Sequence, residues 1–169
     1  MCRRHASTYT DYMNAIDNTI GKGGLLDELE LAMTKCETID LDVTHTFTPG
    51  LYIRQITIPA GTILTSMTHK YEHPFVISQG RIMVTSETEG SVIYEAPHTG
   101  ITKPATRRAL RAETDVIWTT FHVTEETDVE KICKDLLEPH VNPLIEEDDS
   151  FIPGWRQSLP NKPIKEIQS

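Results

Sequence analysis

Pro59-Ala60-Gly61-Thr62-Ile63-Leu64-Thr65-Ser66-Met67-Thr68-His69-Lys70-Tyr71-Glu72-His73-Pro74-Phe75-Val76-Ile77-Ser78-Gln79-Gly80-Arg81 is the stretch on which the fold turns. Its opening Pro-Ala-Gly halts the preceding strand candidate, Leu51 to Ile58. Thr62 to His69 and Phe75 to Ile77 then read as two further strands, and Gly80 marks the next turn. Proline removes a ladder donor and glycine takes turn conformations freely, so such residues punctuate strands.

The same texture continues on both sides. Upstream, Ile39, Leu41 and Val43 alternate with polar residues, and Thr48-Pro49-Gly50 makes a turn. Downstream, strands are expected at Arg81 to Ser86, Val92 to Tyr94 and Val116 to Val123, with turns at Glu89-Gly90, Pro97 and Pro104. Many short strands at close spacing predict an all-β sandwich or barrel rather than a βαβ sheet. Helical spacing flanks this region. Tyr12, Met13, Ile16 and Ile20 form one stripe, capped by Thr10 or Asp11 and stopped by Gly21 to Gly24. Leu25 to Lys35 forms a second short helix, and Thr124 to Leu137 a third, with Thr127 as cap and Pro139 as stop. Prolines 143, 153, 160 and 163 prevent long elements beyond it, where Phe151, Ile152 and Trp155 are candidate anchors.

The chain has 169 residues, 38% of them hydrophobic and 24% charged, which suits one folded domain rather than disorder. A net charge of -9 argues against broad binding to nucleic acid or anionic membranes. No apolar run reaches the ~20 residues of a membrane span. The basic start is followed by polar residues from Ala6 to Asp17, so a cytoplasmic location is expected. Cys2, Cys36 and Cys133 are odd in number and far apart, which predicts reduced thiols. No G-x-S-x-G elbow is present to suggest a hydrolase. Glu146-Glu147-Asp148-Asp149 reads as a solvated turn. Lys103-Pro104-Ala105-Thr106-Arg107-Arg108-Ala109-Leu110-Arg111 is the concentrated basic stretch: a solvated turn, a set of salt bridges to nearby acids, or a recognition point for an anion.

The Gly61–Gly80 segment resembles the first motif of the cupin superfamily: a glycine, two histidines one residue apart, a glutamate, and another glycine. In that register His69 takes the second histidine position, Met67 the first, and His73 the glutamate position. The later motif matches at Pro104 but puts Thr106 at its glycine and Ala109 at its histidine. The resemblance thus implies an incomplete set of metal ligands. More narrowly, residues 10 to 137 are similar to short cupin-like proteins of unassigned function found in bacteriophages and prophages. The matching residues are Pro49-Gly50, Ile58 to Thr62, His69-Lys70-x-Glu72-His73, Ser78-Gln79-Gly80, Glu95-Ala96-Pro97, Lys103 to Arg108, Val116 to His122 and Thr124 to Lys131. Glu113-Thr114-Asp115 departs from the histidine-glutamate-aspartate common in that group.

The resemblance implies a mainly β fold: a cupin-type antiparallel jelly-roll barrel over 39–123, after a flexible terminus (1–9) and a helical segment (10–38). A helix (124–138) and a proline-rich tail (139–169) follow it. It also sends His69 and His73 into the barrel. Candidate ligand-binding residues are His69, Glu72, His73, Phe75, Arg107, Arg108 and His122, with Ile77 as further apolar wall. A metal site would use His69 and His73, with His122 or Glu72 as third donor, for Zn, Fe, Mn or Ni. His122 shares a strand face with Val116, Trp118 and Thr120, and alternation alone leaves open whether that face is interior. Trp118 and Phe121 read as core or interface anchors. The leading expectation is a binding module for a small polar or anionic molecule, such as a nucleotide signal or sugar phosphate. The alternatives are a metal-dependent enzyme of isomerase, epimerase or dioxygenase type, and a virion structural or assembly protein. Self-association through edge strands is expected as well.

Overall fold

Alternating burial along nearly every strand builds the molecule, because one face of each strand turns inward and the other meets solvent. The computed structural model describes residues 7–8, 24–36, 39–86, 89–139 and 142–145. The described strands are β1 (Ser7–Thr8), β2 (Asp42–Thr48), β3 (Leu51–Ile58), β4 (Thr62–Thr65), β5 (His73–Gln79), β6 (Arg81–Ser86), β7 (Gly90–Glu95), β8 (His98–Thr102), β9 (Arg108–Ala112) and β10 (Val116–Val123). The described helices are α1 (Leu25–Met33) and α2 (Val129–Leu136). The strands form two five-stranded antiparallel sheets, ordered β1-β4-β9-β6-β7 and β2-β3-β10-β5-β8. The fold is mainly β, of jelly-roll type, as the sequence predicts. The expected helix at 10–20, Cys2, the acidic run and the tail from 146 onward lie outside the described residues.

The core fills the space between the sheets. Ile56 and Ile58 of β3, Phe75 and Ile77 of β5, and Val116 and Trp118 of β10 meet Leu64, Ile82, Val84, Leu110 and Ala112 from the other sheet. Each large side chain buried this way contributes about 1.5–3 kcal/mol. Phe75 stacks on Trp118 with ring centroids 4.5 Å apart. Its ring also occupies the space over Gly100, where an added Cβ would come within 2.5 Å of the ring. Gly80 is needed for a different reason. It has φ +88°, and a Cβ there would lie 2.1 Å from the Asp115 carbonyl oxygen.

Several boundaries differ from the sequence expectation. Where a ragged terminus is expected, Ser7 and Thr8 pair with Ile63 and Thr62. β4 ends at Thr65 rather than His69, and all four of its residues are buried. Leu26, Leu29 and Met33 of α1 pack onto its Ile63. The final helix begins at Val129, where the Asp128 carboxylate, rather than Thr127, caps it by accepting from the backbone N–H groups of Glu130 and Lys131. β8 and β9 are strands that the sequence reading did not anticipate.

Candidate metal centre in the barrel

His73 begins β5 and His122 lies near the end of β10. These strands are paired through Thr120 and Phe75, and extending that register by two residues sets His122 opposite His73. His69 arrives from the segment after β4. It is fixed by its backbone: its carbonyl accepts from Ala105 N–H at 2.9 Å, and it bridges to Leu137 just past α2. One ring nitrogen from each of the three histidines lies within 4.8 Å of the others. Ring centroids are 4.2 Å apart for His69 and His73, 4.5 Å for His73 and His122, and 5.6 Å for His69 and His122.

All three imidazoles face a cavity of about 100 Å³. Burial, chiefly, pushes their proton affinities down from the ordinary 6.5: His69 to about 2, His122 to about 3 and His73 to about 4. For His69 the neighbouring His73, His122 and Arg54 add to this, and the backbone at Met67 offsets it in part. For His73 the Tyr71 backbone opposes the effect of burial, while the charge of Arg108 reinforces it. The rings are therefore neutral at physiological pH, which is the form that ligates metals.

The hydrogen bonds favour particular tautomers. Thr120 Oγ1 donates to the Arg54 carbonyl (3.4 Å), so it accepts from Nε2–H of His122 (3.1 Å), leaving Nδ1 with a free lone pair. Nδ1 of His73 makes a long contact of 3.5 Å to the Tyr71 carbonyl, which leaves its Nε2 for the cavity. Nδ1 of His69 is buried with no hydrogen bond of ordinary geometry among the described residues, though the Met67 backbone favours the protonated ring. Three neutral imidazoles with lone pairs to spare fit a borderline divalent ion. Small side-chain rotations would close the observed spacing to that of ligands on one centre.

The other expected site residues divide sharply. Arg108 faces the cavity and is only 9% exposed. Glu72 is exposed and outside the cavity lining, because it sits in the turn before β5, so it offers no third ligand. Arg107 also points elsewhere. Its guanidinium pairs with Asp27 at 2.7 Å and with the fully buried Glu30, both on α1. Burial opposes its charge, but those two acids outweigh it and raise its proton affinity. Phe75 and Ile77 belong to the solid core beyond the cavity rather than to its wall. Met67, at the position of the missing motif histidine, is buried and lines the cavity, and Ala109 does not line it.

Tyr52, Arg54 and Thr102, which the sequence reading did not single out, and Cys133, which it read only as a reduced thiol, line the cavity as well. A signal for Arg54 existed: it shares a β3 face with Tyr52, Ile56 and Ile58, and a cation on an apolar face is out of place. Tyr52 stacks on His122 at 5.8 Å, and burial raises its phenol to about 12. Burial also holds Arg54 below its ordinary proton affinity. Cys36 and Cys133 are free thiols. No described helix is long and apolar enough to cross a membrane.

No protein-family model matches the chain, and no curated protein matches it. Among solved structures it is similar to ectoine synthase from P. lautus, with 13% identity, TM-score 0.49, and 66% of this chain covered against 83% of that one. It is also similar to the Schizosaccharomyces pombe Cnp3 cupin domain, with 18% identity, TM-score 0.44, and coverage of 58% and 69%. A third is a cupin-2 domain protein from Shewanella frigidimarina, with 5% identity, TM-score 0.42, and coverage of 49% and 80%. The second and third of these are cupin-domain proteins, and the likeness is one of fold alone.

Proposed function

We propose that the barrel holds a single divalent metal ion on His69, His73 and His122 and binds a small organic molecule beside it. The observation that carries this reading is the convergence of three neutral ring nitrogens within 4.8 Å inside one cavity. Imidazole donors suit Zn, Fe and Ni, and a three-ligand set leaves coordination positions open for a substrate. When bound, such an ion supplies Lewis-acid polarisation of a ligand oxygen. The chain's own residues do the rest. Thr120 and the Tyr71 backbone orient two of the rings, Tyr52 backs His122, and Ile132 and Leu136 of α2 exclude water above them.

Metal titration of chelator-stripped protein, purified without a histidine tag, tests this. The expected result is about one ion per chain, with at least a hundredfold loss of affinity in His73→Ala or His122→Ala, since each removes a ligand. Substoichiometric metal that these substitutions leave unchanged would remove the reading.

A further inference from the structure

Arg107 and Arg108 are adjacent, yet among the described residues only Arg107 of the two forms ion pairs. The Arg108 side chain hydrogen-bonds to Thr102 Oγ1 through Nη1 at 3.3 Å. Its backbone is firmly set: its N–H donates to Ser66 Oγ at 3.0 Å, and its carbonyl accepts from Ser66 N–H at 2.8 Å. Tyr94 and Glu89 favour its charge at longer range, and Glu89 is itself 3.6 Å from Lys103. Arg108 is 9% exposed, so an anion that joins it would offset the cost of holding its charge away from bulk water.

We propose that Arg108 receives the carboxylate of a small organic acid whose apolar body lies in the barrel cavity. This deepens the ligand-site reading above and rests on it for the cavity, though not for the metal. Three observations set the ligand class. The cavity, about 100 Å³, admits on the order of seven to ten water-sized groups, which fits a short-chain or single-ring acid and not a nucleotide. Its walls include Leu64, Leu110, Trp118 and Ile132, an apolar share that suits a ring or a short hydrocarbon chain. A guanidinium fork matches a carboxylate through two parallel hydrogen bonds. The far side of Arg108 opens on a second hollow of about 230 Å³ where Glu89 stands, and that carboxylate repels an anion approaching from there.

Calorimetric titration with benzoate, its neutral counterpart benzamide, inorganic phosphate and adenosine monophosphate tests the inference. Benzoate is expected to bind at least tenfold more tightly than the other three. Arg108→Gln is expected to lose at least tenfold for benzoate while its metal content stays at the wild-type level. Equal affinity for benzoate and benzamide, tighter binding of either phosphate, or no binding of any probe would overturn it. These comparisons need only the wild-type protein, so they stand even if the variant misfolds. Benzoate binding without metal uptake would sink the metal centre and spare this inference. Full metal uptake with no benzoate binding would do the reverse.

Discussion

The two ends of the barrel interior are built from the same three strands and have opposite chemistry. On β3, Ile56 and Ile58 give way to Arg54 and Tyr52; on β5, Ile77 and Phe75 give way to His73; on β10, Val116 and Trp118 give way to Thr120 and His122. At the apolar end Phe75 stacks on Trp118 with Ile77, Ile82 and Val84 packed around them, while Ile56, Ile58 and Trp118 also form the apolar wall of the cavity. The polar end keeps a cavity and gathers Arg54, Arg108 and three histidines around it. One end supplies the stability that lets the other hold cations and neutral imidazoles out of water.

This division can be broken end by end. Phe75→Ala strikes the apolar end and should cost about 3–5 kcal/mol in chemical unfolding, with normal metal uptake by whatever remains folded. A cost below 1 kcal/mol would mean that the two ends do not differ as described. Acid strikes the polar end. The folded chain binds protons on His69, His73 and His122 more weakly than the unfolded chain, whose imidazoles titrate near 6.5. The unfolded state therefore takes up protons first. The contribution is intact above pH 6.5 and is lost progressively as pH falls through 4 toward 2. Melting curves of metal-free protein should show this decline, and a triple histidine-to-asparagine variant should show a shallower one; parallel profiles would contradict it.

Arg108→Met should raise the stability of the ligand-free protein by about 1–2 kcal/mol, since it replaces a buried charge that meets no acid in an ion pair among the described residues with an apolar side chain. A fall in melting temperature would show that Arg108 serves the fold. The smallest effect is expected at the roof of the cavity, where Asp128→Ala should cost about 1 kcal/mol through loss of the α2 cap. Faster hydrogen exchange confined to residues 129–137 would localise that loss.

The sequence made the strands with strong alternation legible: Leu51–Ile58, Arg81–Ser86 and Val116–Val123 have the bounds expected of them. It hid the strands whose inward residues are small or polar. β9 buries Arg108, Leu110 and Ala112, so its alternation reads as a basic turn, and β8 turns in only Thr102 as a fully buried side chain. β2 is exposed along most of its length, and its Thr44-His45-Thr46 stretch carries no apolar period. Within the site, the likeness of the Gly61–Gly80 segment to the cupin motif was what paired His69 with His73. The third donor needed the sheet: β10 lies between β3 and β5, which fixes the buried face that alternation left undecided. The opposite fates of Arg107 and Arg108 were also beyond the sequence, because they depend on where α1 places Asp27 and Glu30.

Around His69 the chain is stitched to the end of α2. Lys70 N–H donates to the Leu136 carbonyl at 2.8 Å, Glu138 N–H donates to the Thr68 carbonyl at 2.9 Å, and the bridge to Leu137 lies between them. Lifting the helix would therefore draw one imidazole away from the other two. Were a guest to pass on that side, its dwell time and the retention of an ion would rise and fall together.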